Sequence, residues 1–305
     1  MRALDRYRLV VVVGTGGVGK TTIAAALALA AALHGRRALV LTIDPARALA
    51  RALGLADLGA ETRVPGEVLA TAGIPPDAPL SAAMLDQKQA WDAFIHRHAP
   101  SAAVARELLA NPFYQRLSTS FAGSTEYMAI EEMCRHAESG RYDLIVLDTP
   151  PSAHALDFVH APERIDRLLD PAFAHWLARP YAALGRGAWR SAGMAARLLL
   201  RRLEHATGKS TLRDISAFFV ALDALVDATL ARTRRARALV SGGDAAFVLV
   251  TAPRQLVLDE TRELAGKLAA LPTPLAAVVV NRVHELPAIG PAEVDAALGA
   301  LGDGP

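Results

Sequence analysis

Apolar residues along this chain fall into two rhythms. Short continuous runs at residues 9–13, 38–43, 144–147, 247–251 and 276–280 are rich in valine, leucine and isoleucine. Runs of that length and composition predict strands buried on both faces of a parallel sheet. Between them the spacing lengthens. Residues 23–33 and 255–271 carry strong helix formers, and residues 81–136 place Met84, Trp91, Phe94 and Ile95 at helix-compatible intervals, with a break at Asn111-Pro112. We expect two or three helices there, and their aromatic residues belong to a core. Residues 54–80 are rich in Gly, Pro and Thr and suggest one short strand at 68–72, while residues 162–236 are mainly helical with no strand signal. Strands alternating with helices predict an α/β fold. The expected architecture is a mostly parallel sheet flanked by helices, one domain over residues 1–305, with helical insertions at about 81–136 and 162–236 forming a subdomain.

The first strand leads into Gly14-Thr15-Gly16-Gly17-Val18-Gly19-Lys20-Thr21-Thr22 and then into a helix. Strand, glycine loop and helix in that order predict a phosphate-binding loop rather than an ordinary turn. Glycines let backbone N–H groups surround phosphate oxygens, and the helix N-terminus adds a positive dipole end. Lys20 can reach the β- and γ-phosphates and the Thr21 hydroxyl can ligate Mg²⁺, so the expected ligand is a nucleotide with its metal. Composition supports this. The chain uses arginine for nearly every cation and has only four lysines, yet one of them stands where a compact, rotatable ammonium is needed.

Two acids end predicted strands. Asp148 closes the run at 144–147 in the Walker B pattern, where an acid holds the Mg²⁺ that Thr21 also contacts. Asp44 follows the run at 38–43, and it would face the same crevice as the glycine loop if the two strands lie side by side. Asp before Pro45 is equally good helix-capping chemistry, so from the residues alone both readings stay open. Asn281 ends the last run, and its side-chain amide offers both donor and acceptor to a purine edge. The guanine-selective pattern needs an Asp three residues on, where His284 stands, which favours adenine. Ser152-Ala153-His154 follows Asp148 as a switch segment, although a lone histidine is more often structural. Residues 179–203 contain six arginines and no acid, and Arg186, Arg190, Arg197 and Arg201 share a helical face. That face is either a solvated surface or a basic patch for a membrane, an acidic partner or an apolar client.

Composition narrows the class. At 305 residues with few aromatics, the net charge of +2 is too small to argue for nucleic acid by itself, although the charge is unevenly distributed. The longest apolar run is too short to span a bilayer, and the first residues are polar without a signal-peptide pattern, so the expected location is cytoplasmic, or peripheral at a membrane. Cys134 is the single cysteine, which excludes an internal disulfide and a cysteine-built metalloid or zinc site within one chain.

With these segments placed, the chain resembles the arsenite-pump ATPase (ArsA) family, which includes the ATPases that guide tail-anchored proteins to membranes. The glycine loop resembles the family's deviant Walker A. Asp44-Pro45-Ala46-Arg47 is similar to its switch I, the stretch from Asp148 to His154 to its switch II, and Asn281 to its adenine-reading residue. The resemblance implies that Asp44 orients the attacking water, that Lys20 stabilises the transferring phosphoryl group, and that Thr21 with Asp148 holds Mg²⁺. It also implies ATP hydrolysis by a dimer, with itself or with a paralogue, whose helical subdomain engages a hydrophobic or membrane-associated client. There are departures. Thr15 stands where the family carries a signature lysine that contacts nucleotide across the dimer, and Cys134 alone supplies neither an arsenite site nor a shared zinc. Loss of a phosphate-neutralising cation is worth about 10³ in rate where arginine fingers are known. Two alternatives stay open beside the autonomous ATPase: a weakly active regulatory subunit, and a ParA/MinD-like positioning ATPase whose basic face contacts DNA or membrane.

Overall fold

A computed structural model of the protein describes residues 4–150, apart from 45–46, 60 and 121–123, and residues 214–283, apart from 216, 219–220 and 223–224. The strands are β1 (Leu9–Gly14), β2 (Ala38–Thr42), β3 (Thr62–Arg63), β4 (Leu80–Met84), β5 (Leu144–Asp148), β6 (Ala245–Thr251) and β7 (Leu275–Val280). They form one sheet in the order β3-β4-β2-β5-β1-β6-β7, parallel throughout except for β3 against β4. The described helices are α1 (Lys20–Leu33), α2 (Ala48–Ala52), α3 (Gly66–Thr71), α4 (Gln87–His98), α5 (Ala102–Ala110), α6 (Pro112–Ser120), α7 (Ser124–Glu138), α8 (Val226–Ser241) and α9 (Gln255–Ala269). The chain is therefore α/β, with a mostly parallel sheet flanked by helices.

Successive side chains of a strand face opposite ways, and the sheet uses both faces. Val10, Val12, Val40, Val146 and Val248 pack against α1, α2 and α3, where Ala24, Ala28 and Ala31 let α1 lie close to the strands. Val11, Leu39, Leu147, Phe247 and Leu249 face α4, α7, α8 and α9. Every residue of β1, β2, β5 and β6 is buried, which explains why these strands appear in the sequence as unbroken apolar runs.

Two stretches fold otherwise than expected. Residues 68–71 belong to helix α3 and Ala72 caps its end; the helix opens after Pro65 with Glu67 in its first turn, so helix-end chemistry outweighs the apolar pair Val68-Leu69. Residues 81–84 lie in β4, so the helical insertion starts at α4 rather than at 81. Leu-Ser-Ala-Ala-Met has little strand propensity. Its conformation comes from pairing with β2, Ala38 opposite Leu80 through Thr42 opposite Met84. Four helices, not two or three, follow before β5. Trp91 and Phe94 do join the core, Trp91 stacked on Tyr127 and Phe94 edge-on to both rings. Ile95, Leu108 and Tyr114 of α4–α6 form a further cluster with Phe218 and Leu225. The Ser152-Ala153-His154 segment, the arginines of 179–203, His284 and the tail 285–305 lie outside the described residues.

Helices α7 and α8 are tied by charge. Arg232 lies 3.0 Å from Glu131 and 2.7 Å from Glu138, with both Arg232 and Glu131 buried. Burial pushes the Glu131 carboxyl up, and Arg232 holds against it. Removing Arg232 leaves Glu131 buried with the more distant Arg97 at 3.5 Å as its arginine partner, a loss of about 3 kcal/mol. Arg232→Ala should lower the unfolding free energy by about that amount, read from urea denaturation, whereas replacing both by apolar residues of similar size should cost far less.

Candidate functional site

The glycine loop is shaped by close approaches. A side chain at Gly14 would collide with the Val250 carbonyl of β6. Gly17 and Gly19 have φ of 74° and 95°, a region where only glycine is unstrained. A side chain at Gly19 would also strike the Asn281 amide, and Gly19 caps α1, so the helix starts at Lys20 rather than at residue 23. Gly16 and Gly17 are exposed at the tip, Val18 is buried beneath it, and Thr21 and Thr22 stand in the first turn of α1.

Lys20 is only 7% exposed, and its Nζ donates to the Thr15 carbonyl at 3.0 Å. Burial lowers its pKa from the ordinary lysine value, while Asp148 and Asp44 oppose that shift. Both carboxylates thus lie within electrostatic reach of the loop lysine. The two strands bearing the loop and Asp44 are not side by side, contrary to the simplest expectation. β5 runs between them, with Asp148 opposite Val12 of β1 on one side and Thr42 of β2 on the other. That register sets Asp148 in the middle of the crevice at the carboxyl edge of the sheet, where ligands of open parallel sheets bind.

Asp148 is 1% exposed. Its Oδ2 accepts from Thr42 Oγ1 at 3.0 Å, and the same hydroxyl accepts from the Asp44 backbone N–H at 3.2 Å. Its Oδ1 is buried with no hydrogen-bond partner among the described residues. Burial raises its pKa and Asp44 adds to this, against the hydroxyls of Thr21 and Thr42 and the charge of Lys20. A buried, unpartnered carboxylate oxygen beside a threonine hydroxyl is a donor set of hard oxygens, which fits a divalent cation such as Mg²⁺ that keeps most of its water. No cluster of three or more His, Cys, Asp or Glu is present among the described residues.

Asn281 does more than its sequence position suggested. Its backbone N–H donates to Thr251 O at 2.8 Å, and its Nδ2 donates to Val18 O at 2.8 Å, which ties the end of β7 to the glycine loop. Its Oδ1 then remains as an acceptor. Thr15 is buried, with its hydroxyl unpartnered among the described residues. Two contributors were not recognised in the sequence. Thr42 orients Asp148, and Thr149 donates to Val12 O at 2.7 Å to fix the turn after β5. Their roles depend on which strands pair, and no local motif marks them. Cys134 is buried, and burial together with Glu131 pushes its thiol up to about 12. No helix among the described residues is long and apolar enough to cross a membrane.

Known proteins are similar to about half of this chain. The family model of the anion-transporting ATPases (ArsA_ATPase) matches residues 7–181. The chain is 31% identical over 174 residues to the ATPase GET3 of Kluyveromyces lactis, covering 54% of this chain and 48% of that protein. It is 34% identical over 164 residues to an uncharacterized protein of Streptomyces coelicolor, covering 53% and 39%. It is 30% identical over 161 residues to a putative arsenical pump-driving ATPase of Chlorobaculum tepidum, covering 52% and 36%. The matches thus span less than half the length of these curated relatives.

The buried Asp148 carries a stability cost that its neighbours do not remove. Asp148→Asn should raise the unfolding free energy without nucleotide by about 1 kcal/mol. Because the wild-type pKa is raised on folding, the protonated form favours the fold. The gain should be largest at neutral pH and close as pH falls to the ordinary aspartate range. Thermal unfolding of both proteins across pH checks it, and the variant should lose the added stabilisation that MgATP gives the wild type.

Proposed function

The chain belongs to the anion-transporting ATPase (ArsA) family, and from that membership we propose that it binds ATP with Mg²⁺ at residues 14–22 and hydrolyses it to ADP and phosphate. The observation that carries the reading is the convergence of Lys20, Thr21, Asp44 and the half-satisfied Asp148 at one end of the sheet. Gly14, Thr15, Gly16, Gly17, Val18, Gly19 and Thr22 would cradle the phosphates through backbone N–H groups and the start of α1. Lys20 would leave the Thr15 carbonyl for the β- and γ-phosphates. Thr21 directly, and Asp148 through water, would hold Mg²⁺, which when bound neutralises charge shared between those phosphates. Asp44 would align the attacking water. Asn281, with one amide hydrogen held by Val18, would accept the adenine amino group at Oδ1 and donate its other hydrogen to the ring.

In this reading hydrolysis drives a cytoplasmic dimeric switch, with itself or with a paralogue. The helices between residues 87 and 138, together with residues 162–236, would respond to nucleotide by binding or releasing a hydrophobic or membrane-associated client. A second reading is favoured by Thr15, whose side chain is buried and uncharged at the second loop position. In it, the chain binds ATP but turns over slowly without a paralogue.

Purified protein should hydrolyse ATP in a Mg²⁺-dependent way, and Lys20→Ala should reduce turnover by about 10²-fold or more. Turnover no higher than that background would overturn autonomous hydrolysis. Under the second reading Thr15→Lys raises turnover by about tenfold, and under the first it does not. ATP should displace a bound fluorescent ATP analogue far better than GTP does, and Asn281→Ala should erase that preference while also loosening the loop through the lost Val18 contact.

A further inference from the structure

Among the described residues, two non-glycine residues have positive φ, Arg47 at 55° and Arg282 at 56°. A left-handed conformation strains an ordinary side chain, and it persists only where the surrounding structure imposes it. Both arginines stand at the carboxyl edge of the sheet. Arg282 directly follows Asn281, on the side that would receive the base. Arg47 lies three residues beyond Asp44 and immediately before α2, on the β2 side of the crevice with Thr42 and Asp148.

Among the described residues, the crevice on that side is short of positive charge. Lys20 is the cation the glycine loop supplies, and it already faces two carboxylates, Asp148 and Asp44. The other side chain pointing inward from the start of the loop, Thr15, brings only a hydroxyl. Phosphates arriving there would add several negative charges, and charge on the transferring group must be stabilised in the transition state. Arg47 is exposed, and its guanidinium has no hydrogen-bond or ion-pair partner among the described residues. Other arginines near the sheet are committed: Arg37 to Asp143, Arg141 to Glu61 and Arg232 to Glu131. A strained backbone that holds an uncommitted guanidinium three residues after Asp44, at the carboxyl edge of the sheet, has the features of an arginine finger.

We infer that Arg47 is the second cation of the phosphoryl-transfer site, contacting the γ-phosphate of ATP as its bond to the β-phosphate oxygen breaks and water adds. The inference rests on the ATPase reading above. The fork of the guanidinium would bind two phosphoryl oxygens at once, and it would take over the neutralising role that Thr15 cannot fill. Charge on the equatorial oxygens is the quantity it acts on, so its effect belongs to turnover and not to ground-state binding.

The test measures ATP binding and turnover separately in the full chain. Arg47→Ala should bind a fluorescent ATP analogue within a few-fold of wild type, yet lose about 100-fold in single-turnover hydrolysis. It should also fail to trap ADP with aluminium fluoride, which imitates the transferring phosphoryl group. Arg47→Lys should retain part of the rate, and free guanidinium ion at millimolar concentration should restore part of the Arg47→Ala loss, a rescue that a structural role would not allow. Hydrolysis by Arg47→Ala within about threefold of wild type would overturn the inference and leave the ATPase reading standing. So would a fall in ATP affinity as large as the fall in rate. If wild type binds no more ATP than Lys20→Ala does, the ATPase reading itself fails and this inference with it.

Discussion

A carboxylate kept from water beside a buried lysine is the constraint on which the rest of this structure depends. Asp148 ends β5 between β1 and β2, its Oδ2 held by Thr42 and its Oδ1 left without a partner. Isolated, such a group would cost several kcal/mol, and proteins rarely retain one unless it has work to do. Here the cost is contained by a seven-stranded sheet whose central strands are wholly buried. That rigid apolar floor holds Asp148, Thr42 and the start of the glycine loop in fixed register. The site is pre-organised because the core, not the site, supplies the stability.

The same economy appears in the glycines and the charged pairs. Gly14 presses against Val250 and Gly19 against Asn281, so the loop is clamped from β6 and β7 as well as from its own strand. Farther away, Arg232 joins Glu131 and Glu138 across α7 and α8. Helix α7 leads into β5 and helix α8 into β6, so the helices bound by that pair feed the two strands that flank β1. A shift of α7 against α8 would be felt at Asp148 and, through β6, at Gly14. This gives a physical route between the helical layer and the crevice at the carboxyl edge of the sheet without requiring any contact between them.

Much of this was legible in the sequence because the buried strands leave no choice of residue. Runs such as Leu-Val-Val-Val-Val can hardly be anything but strands between two helical layers, and the glycine loop carries its own chemistry. β4 was invisible because Ser-Ala-Ala packs by smallness, and its partner β2 decides its conformation. The position of β5 between β1 and β2 was likewise hidden, since strand order is a tertiary property. With it went the role of Thr42, whose hydroxyl matters only because Asp148 lies opposite. Asn281 was recognised for the atoms it offers a base, but its grip on Val18 depends on how closely β7 approaches the loop.

Thr15 and Arg47 bring these levels together. A cation at the second loop position and a cation after the β2 acid are two solutions to one electrostatic problem, because both would neutralise phosphate oxygens between Lys20 and the attacking water. They differ in what else they require. A lysine on a glycine loop extends from a flexible tip and suits contact across a dimer, so that hydrolysis waits for assembly. An arginine held by a left-handed backbone directly before α2 belongs to the wall of its own crevice. The exchange of one for the other would therefore move the control of turnover from the association of two chains towards the conformation of the segment after β2. Strain at Arg47 would then follow from a function placed in cis, in which the chain holds its own cation in position.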